Sequence, residues 1–126
     1  MLGRSEVKEV EEVKDVKDRN RTGPVKNYTD LLVYKQAYRL TLRVSAFSKT
    51  MPREEQFELG RPLRRSPRSV GAKIVEGWAK RVSSAEFKRH LVIAAGEVAE
   101  TKYWLELAAD EGFVVRHTAA SLVAEY

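Results

Sequence analysis

Apolar residues in this chain recur in alternating steps of four and three, and three such runs are long enough to be helices. Val33, Ala37, Leu40, Val44 and Phe47 form the first run. At 3.6 residues per turn they fall on one stripe, which Tyr34 and Tyr38 widen. Thr29 or Asp30 can cap its start. Met51-Pro52 stops it, because proline lacks an N–H and pushes the preceding residue out of the α region. Leu59, Leu63, Ser66, Val70 and Ile74 form the second run. Pro52 suits a first helical position, Glu54 and Glu55 favour the positive end of the helix dipole, and Gly77 is the expected terminator. Phe87, Leu91, Ala94, Val98, Thr101, Leu105 and Ala108 form the third run. Ser83 and Glu86 read as a capping box, in which the serine bonds the third amide and the glutamate reaches back. Gly112 can end this helix in the left-handed conformation.

The spacing therefore predicts helices over 29–48, 53–77 and 84–110, and a short one near 118–126 that Thr118 can cap. No stretch alternates with period two, so no sheet is expected. The fold class is all-α: an antiparallel up-down helical bundle of three long helices plus a short fourth, joined by short loops. Residues 28–126 form the bundle domain and residues 1–27 a charged arm outside its core. In the arm, Val7, Val10, Val13 and Val16 recur every three residues. That step drifts about 60° each time around a helix and gives no straight apolar stripe. Pro67 falls inside the second run. An interior proline loses one hydrogen bond and clashes with the carbonyl four residues back, at about 3 kcal/mol. The helix is expected either to kink there or to start afresh at Gly60-Arg61-Pro62.

Composition narrows the chemistry. A chain of 126 residues suits a single domain. It has no cysteine, which removes disulfides, thiolate chemistry and most zinc sites. No apolar run approaches the roughly 18 residues of a membrane span, and the first residues have no apolar stretch of the secretory kind. A cytoplasmic location is the expectation. Glu86 and His90 lie four apart on one helix face, but a di-iron bundle needs two E-x-x-H motifs, so a plain surface pair is expected. Phosphate-binding glycine loops, H-E-x-x-H and a serine elbow are all absent. The reading is a non-enzyme with no cofactor and no metal. Trp78, Trp104 and Tyr103 are expected to pack in the bundle or between subunits rather than to stack on bases.

Charge changes the picture. The net charge is +5, but residues 61–90 alone carry nine basic and two acidic groups, and residues 91–126 carry two basic and six acidic. A basic block of this kind points to a polyanionic partner. At 100° per residue, Arg61, Arg64, Arg65 and Arg68 fall about 100–200° from Leu63, opposite the apolar stripe. Guanidinium forks suit phosphate oxygens. Lys73, Lys80 and Arg81 extend the set. Because no aromatic residue interleaves the four arginines, contacts to the phosphate backbone are expected, without sequence preference. The alternative is a scaffold or protein-partner module whose arginines pair with acidic residues, within the bundle or between subunits.

Three stretches, "NYTDLLVYKQAYRL", "LGRPLRRSPRSVGAKIVEGW" and "EFKRHLVIAAGEVAETKYWLELAADEGFV", carry a resemblance. They resemble the four-helix-bundle proteins encoded in 23S rRNA intervening sequences, to which the accessory proteins of diversity-generating retroelements are similar. The shared pattern falls on Leu32, Tyr34, Ala37, Leu63, Arg64, Arg65, Ser69, Val70, Ile74, Glu76, Gly77, Glu100, Trp104, Leu105, Gly112 and Phe113. Pro62, Pro67, Lys73 and Val75 depart from it. The resemblance implies a small all-α protein that assembles as a homo-oligomer, with a pentamer as the family pattern, and has no known catalysis. Its retroelement branch implies binding to nucleic acid and to a reverse transcriptase through basic surfaces.

Overall fold

A computed structural model describes residues 24–126 of the chain. The expected arm lies, up to residue 23, outside the described residues. Four α-helices order the rest: α1 is Leu32–Ser48, α2 Gly60–Ala79, α3 Ser84–Asp110 and α4 Arg116–Glu125. Short 3-10 turns at Tyr28–Asp30 and Arg53–Gln56 precede α1 and α2. No described residue lies in a strand. The fold is all-α, as the periodicity predicts.

The helix ends differ from the expectation where side chains offer the backbone other partners. Neither Thr29 nor Asp30 caps α1, which Leu31 precedes without a side-chain cap; Asn27 caps the 3-10 turn ahead of it. Its Oδ1 accepts from the Thr29 amide at 2.9 Å, and Asp30 Oδ2 accepts from the Asn27 amide at 3.2 Å. That exchange makes a 3-10 turn, and α1 starts only at Leu32. The second helix starts at Gly60 instead of residue 53. Gln56 turns back and donates from Nε2 to the carbonyls of Ser48 at 3.0 Å and Met51 at 2.9 Å. The end of α1 is thereby satisfied, and residues 53–59 are held as a turn rather than a first helical stretch. Of the two outcomes expected for the prolines, the fresh start is the one found: Pro62 is the third residue of α2. Pro67 remains inside the helix with its ring buried. Thr41 Oγ1 lies 3.1 Å from its carbonyl and 2.7 Å from that of Ala37, tying α1 to α2 at this level.

Gly77 does not terminate α2, which runs on to Ala79. Ser83 caps α3 by accepting from the Glu86 amide at 3.2 Å, while the Glu86 carboxylate is engaged by Arg89 at 3.3 Å. Gly112 takes a φ of 78° after α3, the left-handed turn expected of it. The Phe113 amide then reaches the Ala108 carbonyl at 3.0 Å, closing the helix end. Thr118 is not a cap: α4 begins two residues earlier, after Val115.

All five residues of the second apolar run are buried, and α2 packs on both α1 and α3. The apolar core has two parts. Val44, Phe47, Met51, Leu59, Leu63, Leu105 and Ala108 meet Ala119 and Leu122 of α4 in one. Ala37, Val70, Ile74 and Ala94 form the other, flanked by Tyr34, Leu91 and Val98. Between them in register lie buried hydroxyls, with Thr101 Oγ1 3.0 Å from Ser66 Oγ. Buried polar groups are tolerated when paired in this way, and the pair links α2 to α3. Among the described residues no helix is long and apolar enough to cross a membrane.

Candidate nucleic-acid interface

The outward face of α2 is read directly from its burial pattern. Arg61, Arg65 and Arg68 are exposed, whereas Leu63, Ser66 and Pro67 between them, and Val70 after them, are buried. At 100° and 1.5 Å per residue the three arginines fall within about 60° of one another and span about 10 Å along the axis. None of the three forms an ion pair with an acidic side chain among the described residues. The acidic half of the chain is thus not neutralising this row from within the bundle.

The seven basic residues singled out by the sequence do not form one patch. Arg64 leaves the row. It is half-buried and turns back over the 49–59 turn, with Nη2 donating to the Gln56 carbonyl at 2.8 Å and Nη1 to Gln56 Oε1 at 3.3 Å and Ser48 Oγ at 3.5 Å. Gly60 makes room for it, since a Cβ there would lie 2.8 Å from Arg64 Nη1. Lys73 is half-buried and pairs with Glu76 at 3.2 Å. That pairing is the main reason the Glu76 carboxyl is held below the usual range. Lys80 and Arg81 sit about 28 Å along the axis from Arg61, at the turn into α3. Lys80 is exposed. Arg81 lies over the Trp78 ring at 4.2 Å and donates to the Trp78 carbonyl at 3.0 Å. Trp78 in turn meets Phe87 edge-on at 6.4 Å, so it is a packing residue of the turn.

Three features escaped the sequence reading. Phe57, 69% exposed, lies under Arg61, with the guanidinium carbon 5.7 Å from the ring centroid. Their spacing of four residues was the available signal. Arg43 is buried on α1 and pairs with Glu125 of α4, whose carboxylate Arg39 also approaches at 3.6 Å. A cation on the flank of the α1 stripe, within about 40° of Phe47, was the sign of it. His90 is the third, and here the expected surface pair with Glu86 is corrected. His90 is only 3% exposed. Its Nδ1 lies 2.8 Å from the Glu86 backbone carbonyl, and its Nε2 faces Glu76 Oε2 of α2 at 3.4 Å. A carbonyl only accepts, so Nδ1 is the donor in that contact. The ring is a link between α2 and α3. No group of three His, Asp or Glu side chains among the described residues is placed to hold a metal.

Guanidiniums in a row on one exposed helix face have the donor geometry that suits phosphate oxygens. A family model described as 23S rRNA-intervening sequence protein matches residues 29–126. Among solved structures, this chain is similar to the crystal structure of a protein with unknown function from the S23 ribosomal protein family of Bacteroides thetaiotaomicron VPI-5482. The two are 29% identical with a TM-score of 0.67, over 74% of this chain and 86% of that one. No curated protein matches the chain.

Proposed function

This chain belongs to the 23S rRNA-intervening sequence protein family, and on that premise we propose that it is a non-enzymatic, oligomeric bundle protein that binds the phosphate backbone of nucleic acid through α2. One observation carries the reading: Arg61, Arg65 and Arg68 are exposed on one helix face with no acidic partner among the described residues. Guanidiniums that meet phosphates release the counterions condensed on them, and this release supplies most of the free energy of sequence-independent binding. Lys80 and Arg81 supply a second point of contact at the far end of the helix. Exposed Val92 and Tyr103 on α3 are the apolar surface through which copies of the chain associate. A reverse transcriptase is the protein partner expected from the resemblance to retroelement accessory proteins.

The test is a salt titration of binding to labelled RNA and DNA of mixed sequence. Replacing Arg61, Arg65 and Arg68 by glutamine is expected to weaken binding to all sequences alike and to flatten the slope of log K against log salt by about two to three units. Helix content should not change, since all three lie off the core stripe. The competing reading makes these arginines inter-subunit ion pairs. Under it, the triple variant binds as the parent does but dissociates to monomers in light scattering.

A further inference from the structure

The row of arginines does not stand alone. The 3-10 turn before α2 leads into Phe57, whose ring is the most exposed aromatic among the described residues and lies against the first arginine of the row. Nothing in the packing of the bundle accounts for it: Phe57 belongs to neither apolar cluster. A phenyl ring held in water against Arg61, at the start of a row of three guanidiniums without acidic partners among the described residues, is a combination of two functions. The cations track a phosphodiester backbone, and the ring offers a flat apolar surface one side chain away from it.

We infer that this face of α2 is a binding surface for single-stranded nucleic acid, on which Phe57 stacks on an unpaired base while Arg61, Arg65 and Arg68 follow the backbone. The inference rests on the proposed phosphate binding and narrows its substrate class. In a duplex the faces of the bases are already stacked on one another, so an exposed ring gains nothing from them. In a single strand every base has a free face, and stacking on an aromatic side chain adds affinity without reading sequence. Arg61 strengthens the platform, because a guanidinium over the ring keeps Phe57 oriented and remains available to phosphate on its other side. The turn itself is fixed: Gln56, the residue before Phe57, is held at its side-chain amide by Ser48 and Met51 and at its backbone carbonyl by Arg64. Arg64, absent from the phosphate row, therefore serves as a positioning residue for the stacking ring. Base stacking is not base-edge reading, so the absence of sequence preference is retained.

The experiment compares the full chain with Phe57→Leu and Phe57→Trp on a labelled mixed-sequence strand, as RNA and as DNA, and on a duplex with the same number of phosphates. The parent is expected to prefer either single strand over the duplex by about tenfold, the equivalent of one stacked base. Phe57→Leu should lose that preference, its affinities for strand and duplex becoming equal. Phe57→Trp should keep it and show quenching of its new indole fluorescence, relative to the parent, on adding the single strand. Equal affinity of the parent for strand and duplex overturns the inference and leaves the proposed phosphate binding standing. So does an unaltered preference in Phe57→Leu. Absence of binding to both forms overturns the two together. The Trp variant decides the matter if the Leu variant fails to fold.

Discussion

Gly77 and His90 meet across α2 and α3 so closely that a Cβ on Gly77 would stand 2.9 Å from the Cβ of His90. The same Cβ would lie 3.2 Å from Phe87 Cδ1. The glycine is therefore present for approach and not for chain termination. Alanine at this position gains about 1 kcal/mol of helix propensity. Forcing the two backbones apart costs more, typically about 1–3 kcal/mol for overpacking. The obstacle is a Cβ and not the free end of a side chain, so it cannot swing away. Gly77→Ala is expected to lower the thermal midpoint, read by circular dichroism.

Arg64 and Arg65 are neighbours in sequence with opposite roles. Arg64 holds the turn through the Gln56 carbonyl at 2.8 Å, whereas Arg65 is exposed to solvent. Arg64→Ala should cost about 1–2 kcal/mol in denaturant unfolding, because it takes a charge-assisted bond from a half-buried carbonyl. Arg65→Ala should stay within about 0.5 kcal/mol of the parent. Affinity for nucleic acid should reverse the order for duplexes, with Arg65→Ala the weaker binder.

Replacing Pro67 separates two opposed effects. Alanine restores an N–H to α2 and removes an interior proline, worth up to about 3 kcal/mol. It also deletes two buried ring carbons, at about 0.8 kcal/mol each. The first is larger, so Pro67→Ala is expected to stabilise the fold by about 1 kcal/mol. A fall in the unfolding midpoint would mean that the packing of the ring against its neighbours outweighs the backbone defect.

Stability should decline at both ends of the pH scale. Asp30 has its carboxyl lowered, mainly by the backbone amides of Lys26 and Asn27. Its contribution is present above the ordinary carboxylate pKa of about 4 and is lost as pH falls through the lowered value. Tyr126 is the alkaline counterpart. Burial, and then the charge of Glu125, push its phenol well above the ordinary range. The folded state keeps the proton that the unfolded chain gives up, so stability falls as pH rises past about 10. Tyr126→Phe should abolish the share of this alkaline loss that comes from residue 126. Its hydroxyl is buried without a hydrogen-bond partner, so the variant should be no less stable at neutral pH. Tyrosinate absorbance and unfolding midpoints, measured together from about pH 9 to about pH 12, check both statements.

What could be read in the sequence was whatever a single helix decides. The stripe from Leu59 to Ile74 is buried as its spacing required, and Gly112 takes the positive φ that ends α3. Both follow from local geometry, since a period of 3.6 puts certain residues on one side regardless of what covers them. The basic face of α2 was legible for the same reason.

The fate of each polar residue was settled elsewhere. A helical wheel groups Arg64 with Arg61, Arg65 and Arg68, yet the 49–59 turn folds over that edge and offers it a carbonyl. The spacing of Glu86 and His90 suggested a surface pair, yet the bare backbone of Gly77 lets α2 close over the ring. Arg43 is buried because α4 brings Glu125 to it. Periodicity tells which way a side chain faces. It carries no information on which distant segment arrives there, or whether that segment brings water, a carbonyl or a charge. Burial and pairing of polar groups depend on that arrival, and only the tertiary structure decides it.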